Sequence, residues 1–250
     1  MSQKLLYLLG WPVVCLYARL MLRLDVLRQA PLPAGPKLIV ANHPSFTDPF
    51  YLTLLFPQPI NILLIESAFS VLLFGAYLRW SGHVPVVPGN GRPAFEEARR
   101  LLEAGRSVAI FPEGDASPRE GGFLPPRTGA ARLALLTGVP VVPVGIYLPR
   151  ERTRMISSSI AGKRTVGHWY LRGPYSMTVG QPLRFEGDAE DQTLVASISD
   201  RIMQRIISLA RESERRVRHT LLPATRRAVL SGKKVKVKIA PDSDEQTHHG

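Results

Sequence analysis

An uncharged apolar run opens the pattern: Leu5 to Ala18 reads LLYLLGWPVVCLYA, and Arg19, Arg23, Asp25 and Arg28 follow it. As a helix this run would reach only about 21 Å, short of the ~20 residues needed to cross a hydrocarbon core. It predicts a membrane-associated helical segment over residues 1–30 that dips into one leaflet, with Tyr7, Trp11 and Tyr17 suited to the interface. Neither the charge pattern nor an Ala-x-Ala site supports its cleavage as a secretory signal. A helix buried on the domain core is the competing reading of so short a run. Beyond the Pro-rich stretch at residues 31–36, short β-like runs alternate with helical patterns. Strands are predicted at Lys37 to Ala41, Asn61 to Ile65, His83 to Val87, Ser107 to Phe111 and Val139 to Tyr147. Helices are predicted at Pro49 to Phe56, Ala68 to Trp80, Pro93 to Ala104 and Thr128 to Leu136, the third with Pro93 at its start and Gly105 past its end, the fourth stopped at Gly138. Further strands are expected at Trp169 to Tyr170 and Met177 to Val179, then a long basic helix over Asp191 to Arg218. Such alternation predicts an α/β fold, a mixed and largely parallel sheet flanked by helices. The expected division is the 1–30 segment, one catalytic-size domain over 31–222, and a tail over 223–250, basic and then acidic, that lacks a core-forming pattern.

Composition supports a single core. The 250 residues are 45% hydrophobic, and 22 prolines with 20 glycines exclude a coiled coil or collagen-like repeat. Cys15 is the only cysteine, so there is no intramolecular disulfide and no cysteine metal cage, and a reducing compartment fits best. Charge adds a second signal. The net +12 is concentrated in residues 201–240, where 12 Lys and Arg face only Glu212 and Glu214, a local excess of +10. Such a field attracts polyanions, either nucleic acid or an anionic leaflet. No helix-turn-helix, zinc or aromatic single-strand motif accompanies it, so no nucleic-acid partner is expected. His83 and His168 lack metal-ligand partners at useful spacing, and no metal site is expected.

Two loops carry candidate chemistry. In Asn42-His-Pro-Ser-Phe-Thr-Asp-Pro49, His43 follows a strand, and Asp48-Pro49 has the form of a helix cap with proline at the first helical position. Across a turn, Asp48 can reach the imidazole, fix its tautomer and leave the other ring nitrogen free to take a proton. The plainer alternative is that Asp48 caps the helix and His43 fills a loop, although a carboxylate can do both. The second loop, Phe111-Pro-Glu-Gly-Asp115, stands at the carboxyl end of a strand, where open α/β sheets bind ligands. Glu113 alone would be read as a solvated loop charge. The run Gly138-Val-Pro-Val-Val-Pro-Val-Gly145 reads as a buried strand.

Together these residues resemble the PlsC-like glycerolipid acyltransferases (1-acylglycerol-3-phosphate acyltransferase family), whose pattern is Asn-His-x4-Asp, then Phe-Pro-Glu-Gly, then Val-Pro-Val-Val-Pro-Val. Asn42, His43 and Asp48, Phe111 to Gly114, and Val139 to Val144 match in order and spacing, over roughly residues 35 to 185. The resemblance implies transfer of a fatty acyl group from acyl-CoA or acyl carrier protein to a lysophospholipid hydroxyl or related lipid alcohol, with no cofactor. It implies His43 as general base, Asp48 as its orienting partner, and Phe111, Pro112, Glu113, Gly114 and Arg127 as acceptor-binding positions. It also implies residence at the cytoplasmic face of the cell membrane, peripheral or monotopic. Basic residues that the family places against glycerol phosphates are replaced here by Ile65, Pro88 and Ala116, which leaves Arg127, Arg92 or Arg119 to meet a phosphate and suggests a shifted acceptor. A lipid-binding or remodelling protein with this fold and little turnover is the alternative reading. The absence of a Gly-x-Ser-x-Gly elbow agrees with direct attack by the acceptor.

Overall fold

The computed structural model describes residues 3–221, apart from 57, 161 and 162. The tail expected at 223–250 lies outside the described residues. The chain divides into two units, Met1–Val217 and Arg218–Gly250, and the fold described here is that of the first.

In chain order the elements are α1 (Gln3–Met21), β1 (Leu22–Arg28), β2 (Leu38–Ala41), α2 (Asp48–Leu52), β3 (Ile60–Ile65), α3 (Phe74–Trp80), β4 (Val84–Val86), α4 (Arg92–Glu103) and β5 (Ser107–Ile110). They continue as α5 (Gly129–Thr137), β6 (Val141–Tyr147), β7 (Arg154–Ile160), β8 (Lys163–Trp169), β9 (Gly173–Val179) and α6 (Gln192–Leu221). Seven strands form one sheet in the order β1-β9-β6-β2-β5-β3-β4. Every neighbouring pair is parallel except β6 and β9. The expected mixed, largely parallel sheet with helices on both faces is therefore present.

β2 lies at the centre and is buried on both faces, which is why it reads as an unbroken apolar run. Its period of two divides the core. Ile39 and Ala41 join Tyr51 of α2, Ala18 of α1 and Tyr175 on one side; Leu38 and Val40 join Ala98 of α4, Leu133 of α5 and Ile202 of α6 on the other. Helix α4 buries Ala94, Ala98, Leu101 and Leu102, the stripe its periodicity predicts. Gly138 ends α5 in a left-handed conformation.

Three segments differ from the sequence reading. The helical segment expected to residue 30 stops at Met21, and Leu22–Arg28 is an edge strand parallel to β9. Its alternation of Leu22, Leu24 and Val26 with Arg23 and Asp25 has a period of two, and strand pairing outweighs continuation of the helix. The helix expected from Ala68 begins only at Phe74, after a 3-10 turn at Glu66–Ser70 and a left-handed Leu73. The hairpin β7–β8 was not expected, apart from the Trp169 end of β8, because its Ser-, Lys- and Arg-rich strands show no apolar alternation. The N-terminal run is packed on the core along one face, as its second reading expects. α1 buries Ala18 and packs Val14 and Tyr17 on the core, while Leu9, Val13, Leu16 and Leu20 form an exposed stripe at helical spacing. Among the described residues, no helix is long and apolar enough to cross a membrane.

Candidate active site

His43 leaves the carboxyl end of β2, and Phe111 leaves the same end of β5, because the two strands are parallel neighbours with Val40 opposite Ile110. Asn42 prolongs the ladder by one step. Its amide donates to Ile146 O (2.9 Å) and accepts from Ile146 N (2.7 Å), so the side chain stands in for a peptide group against β6. The chain turns immediately afterwards, and the imidazole is set at the strand mouth.

The Asp48 carboxylate is buried and receives three groups. Oδ2 lies 3.1 Å from His43 Nδ1 and accepts from Ser45 N at 2.7 Å; Oδ1 accepts from the Tyr175 hydroxyl at 2.7 Å. The expected cap at Asp48 is moved by one residue: Thr47 is the N-cap, with no side-chain cap bond, and Asp48 opens the helix with its carboxylate turned back to the loop. With Nδ1 facing Asp48, the imidazole carries its proton there and leaves Nε2 as the acceptor. The ring stacks on Phe111 at 4.2 Å between centroids and retains 15% side-chain exposure, enough for one face of the group to meet a substrate.

Glu113 is buried rather than solvated. Oε1 accepts from His43 N (3.0 Å) and Ser117 Oγ (2.8 Å), and Oε2 accepts from Leu124 N (2.8 Å). Ser117 N in turn donates to His43 O at 2.8 Å. Both peptide groups of His43 are thereby clamped to the second loop, which leaves the Glu113 carboxylate little acceptor capacity for anything else. Gly114 adopts φ +71°, and a Cβ there would land on the Arg127 side chain. Arg127 N donates to Pro112 O at 2.8 Å, and the exposed guanidinium arm runs over the turn. His43, Asp48, Phe111, Pro112, Glu113, Gly114 and Arg127 are therefore gathered at one sheet edge. Ile65 and Pro88 are exposed and Ala116 is half-buried, so no cation occupies those three positions.

Four supporting residues escaped the sequence reading. Tyr175 is fully buried, and burial beside Asp48 pushes its phenol well above the ordinary value. Ser45 Oγ donates to His168 O (3.0 Å) and accepts from Tyr170 N (2.9 Å), which binds the His43 loop to the end of β8. Ser117 fastens the loop from within. Arg150, its pKa lowered by burial and partly restored by Glu113 and Asp48, donates to the carbonyls of Ser117, Pro118 and Gly122. Apart from the Ser117–Glu113 bond, between residues four apart, these contacts join residues 28 to 127 positions apart, and no local spacing reports them. Only the tyrosine in an apolar strand, a buried hydroxyl in need of a partner, left a trace. No cluster of three metal-ligating side chains occurs among the described residues.

Residues 23–147 match the family model described as Acyltransferase. Relatives include 1-acyl-sn-glycerol-3-phosphate acyltransferase BAT2, chloroplastic, of Brassica napus, 31% identical over 137 residues, which are 54% of this chain and 39% of that one. The 1-acyl-sn-glycerol-3-phosphate acyltransferase of Haemophilus influenzae is 26% identical over 182 residues, 70% of each chain. The chain thus spans about two fifths of the length of the plant relative. A crystal structure of the 1-acyl-sn-glycerophosphate acyltransferase PlsC from Thermotoga maritima superposes with a TM-score of 0.56 at 21% identity, over 85% of this chain and 78% of that one, which establishes a shared fold. With the matched residues spanning half its length and holding both candidate loops, the chain belongs to the acyltransferase family.

Proposed function

We propose that this protein is a membrane-associated O-acyltransferase that moves a fatty acyl group from acyl-CoA or acyl carrier protein to the hydroxyl of a lysophospholipid, 1-acylglycerol-3-phosphate or a related lipid alcohol. The observation that carries this reading is the His43–Asp48 pair, held at 3.1 Å and clamped through both peptide groups of His43. Nε2 of His43 takes the acceptor hydroxyl proton as its oxygen attacks the thioester carbonyl. The tetrahedral intermediate then collapses, the C–S bond breaks, and the thiolate leaves with the proton returned by the imidazolium. Asp48 keeps the ring in the required tautomer and stabilises the imidazolium. No covalent enzyme intermediate is needed, and Cys15 lies in α1, on an element that carries none of the loop residues.

Glu113 acts here as a positioning residue, because its oxygens face the chain's own donors. The turn of Phe111, Pro112 and Gly114 then meets the acceptor, with Arg127 as the cation beside it. Membrane association is supported by the exposed stripe Leu9, Val13, Leu16 and Leu20 on α1, a face suited to lie within the interface. The relatives named above are 1-acyl-sn-glycerol-3-phosphate acyltransferases, which supports a lysolipid acceptor. The intact hydrogen-bond chain from Tyr175 through Asp48 to His43 favours turnover over a purely lipid-binding role.

The test is labelled acyl transfer by purified protein with lipid acceptors. His43→Ala is expected to lower turnover by about 10²–10⁴-fold, the usual contribution of a general base, with a loss of about 1–3 kcal/mol of stability from the donor withdrawn from Asp48 that still leaves the protein folded. Wild-type turnover from a folded variant would overturn the base assignment.

A further inference from the structure

The sheet edge that carries His43 also carries an open groove of about 600 Å3, lined by Glu151, Arg152, Thr153, Arg154, Leu171 and Arg172. Three guanidinium groups face one carboxylate there. All three arginines are exposed, and none forms an ion pair among the described residues. Arg23 lies close by, since it and Arg152 both act electrostatically on the Tyr170 phenol.

The surroundings specify what such a groove would take. Strand β1 pairs with β9 so that Leu22 stands opposite Gly173, which puts the last turn of α1 beside Arg172. The Tyr17 hydroxyl donates to Leu171 O at 2.6 Å and fixes the helix end to the groove wall. Leu16, Leu20 and Met21, all exposed, therefore lead up to it. A ligand that satisfied both surfaces would be amphipathic, with an anionic oxygen-rich head for the guanidinium fork and apolar chains for the helix stripe.

We propose that the Arg152–Arg154–Arg172 groove holds the phosphate head of an anionic membrane phospholipid whose chains lie along the exposed face of α1. The inference rests on the membrane association proposed above and adds to it a lipid-selective contact, which turns the His43 edge of the sheet toward the bilayer. None of the groove-lining residues belongs to the His43 or Phe111 loops.

The experiment is sedimentation of the full chain with vesicles of phosphatidylcholine alone and of equimolar phosphatidylcholine and phosphatidylglycerol. Wild type is expected to bind the mixed vesicles more tightly, with the increment falling as salt is raised. The triple substitution R152Q/R154Q/R172Q is expected to reduce that increment by about 100-fold, at the usual value of a basic residue near an anionic surface, and to leave binding to phosphatidylcholine unchanged. Because Arg152 packs against Gly173, the pair R154Q/R172Q serves as a second variant with a smaller loss in the same direction, and R152K/R154K/R172K should retain most of the increment. An unchanged increment in the glutamine variants overturns the proposal. So does a groove that binds adenosine 3′,5′-bisphosphate in calorimetry and loses that binding, but not the vesicle increment, in the same variants; the phosphates would then be those of the donor. Failure of wild type to bind either vesicle overturns the membrane reading itself, whereas binding without a phosphatidylglycerol increment overturns only the groove.

Discussion

At the residue scale, the site depends on how few acceptor positions its two carboxylates leave open. Asp48 receives Ser45 N, the Tyr175 hydroxyl and the His43 ring; Glu113 receives His43 N, Ser117 Oγ and Leu124 N. Tyr175→Phe withdraws a donor from a buried carboxylate. It is expected to cost about 1–3 kcal/mol of stability and to lower kcat with little change in KM, as denaturant titration and steady-state assays would report. Glu113→Gln sets an amide N–H2 against one of three converging donors. A similar loss of stability should accompany a fall in kcat, whereas an acceptor contact would have raised KM first. His83 lies outside the site, half-buried, with Nδ1 accepting from Ile62 N at 3.1 Å, and desolvation lowers its pKa to about 4. An unfolded imidazole titrates at about 6.5, so the native state favours the neutral ring. Its contribution is whole above about pH 6.5 and is lost as pH falls through about 4, by up to roughly 3 kcal/mol. His83→Asn keeps an acceptor for Ile62 N and should flatten that acid limb in melts recorded against pH.

At the element scale, close approach between layers fixes the sheet mouth. A Cβ on Gly145 of β6 would meet the α6 backbone at Leu209 and Ala210, and Ser213 Oγ of the same helix donates to Gly145 O at 2.9 Å. Gly145→Ala must push helix from strand, and we expect a loss of about 1–3 kcal/mol or more, read from the denaturation midpoint. The same packing gives the basic residues of α6 internal work: Arg216 binds Asp25, Ser176 and Thr178, and Arg201 lies over Phe185. A helix whose charges would suit anionic lipid is thus partly committed to the domain. The hairpin β7–β8 has the opposite character. It contributes little to the main core, yet His168 O accepts from Phe46 N at 2.8 Å and holds the His43 loop from outside.

At the scale of the whole molecule, one edge of the largely parallel sheet collects the imidazole, the Phe111 turn, the end of α1 and the arginine groove. The three missing cations also belong to this scale, since Ile65 ends β3, Pro88 follows β4 and Ala116 follows β5. Each absent charge-assisted bond would have been worth about 1.5–3 kcal/mol. Discrimination in favour of a small phosphorylated acceptor should therefore rest on Arg127. In an acceptor panel, lysophosphatidic acid is expected to exceed lysolipids with larger heads by tenfold or less, and Arg127→Gln should abolish that preference. A large preference that survives the substitution would show that another cation binds the phosphate.

The central architecture and the His43–Asp48 pair are legible in the chain before it folds. β2, β5 and β6 are short apolar runs because they are buried on both faces, and α4 is legible because its stripe, proline and glycine are local signals. His43 and Asp48 are five residues apart on one turn, so their meeting required no knowledge of the rest of the chain. The tertiary structure decided what Glu113 does. Read alone, it is a solvated loop charge; beside β2 it becomes the buried acceptor that fixes His43, 70 residues away. It also decided that Leu22–Arg28 is a strand, since the partner that makes it one, β9, lies about 150 residues downstream. Local pattern records which face of a segment avoids water, whereas hydrogen bonds between distant segments, and the surface left open for a lipid, exist only once the sheet is assembled.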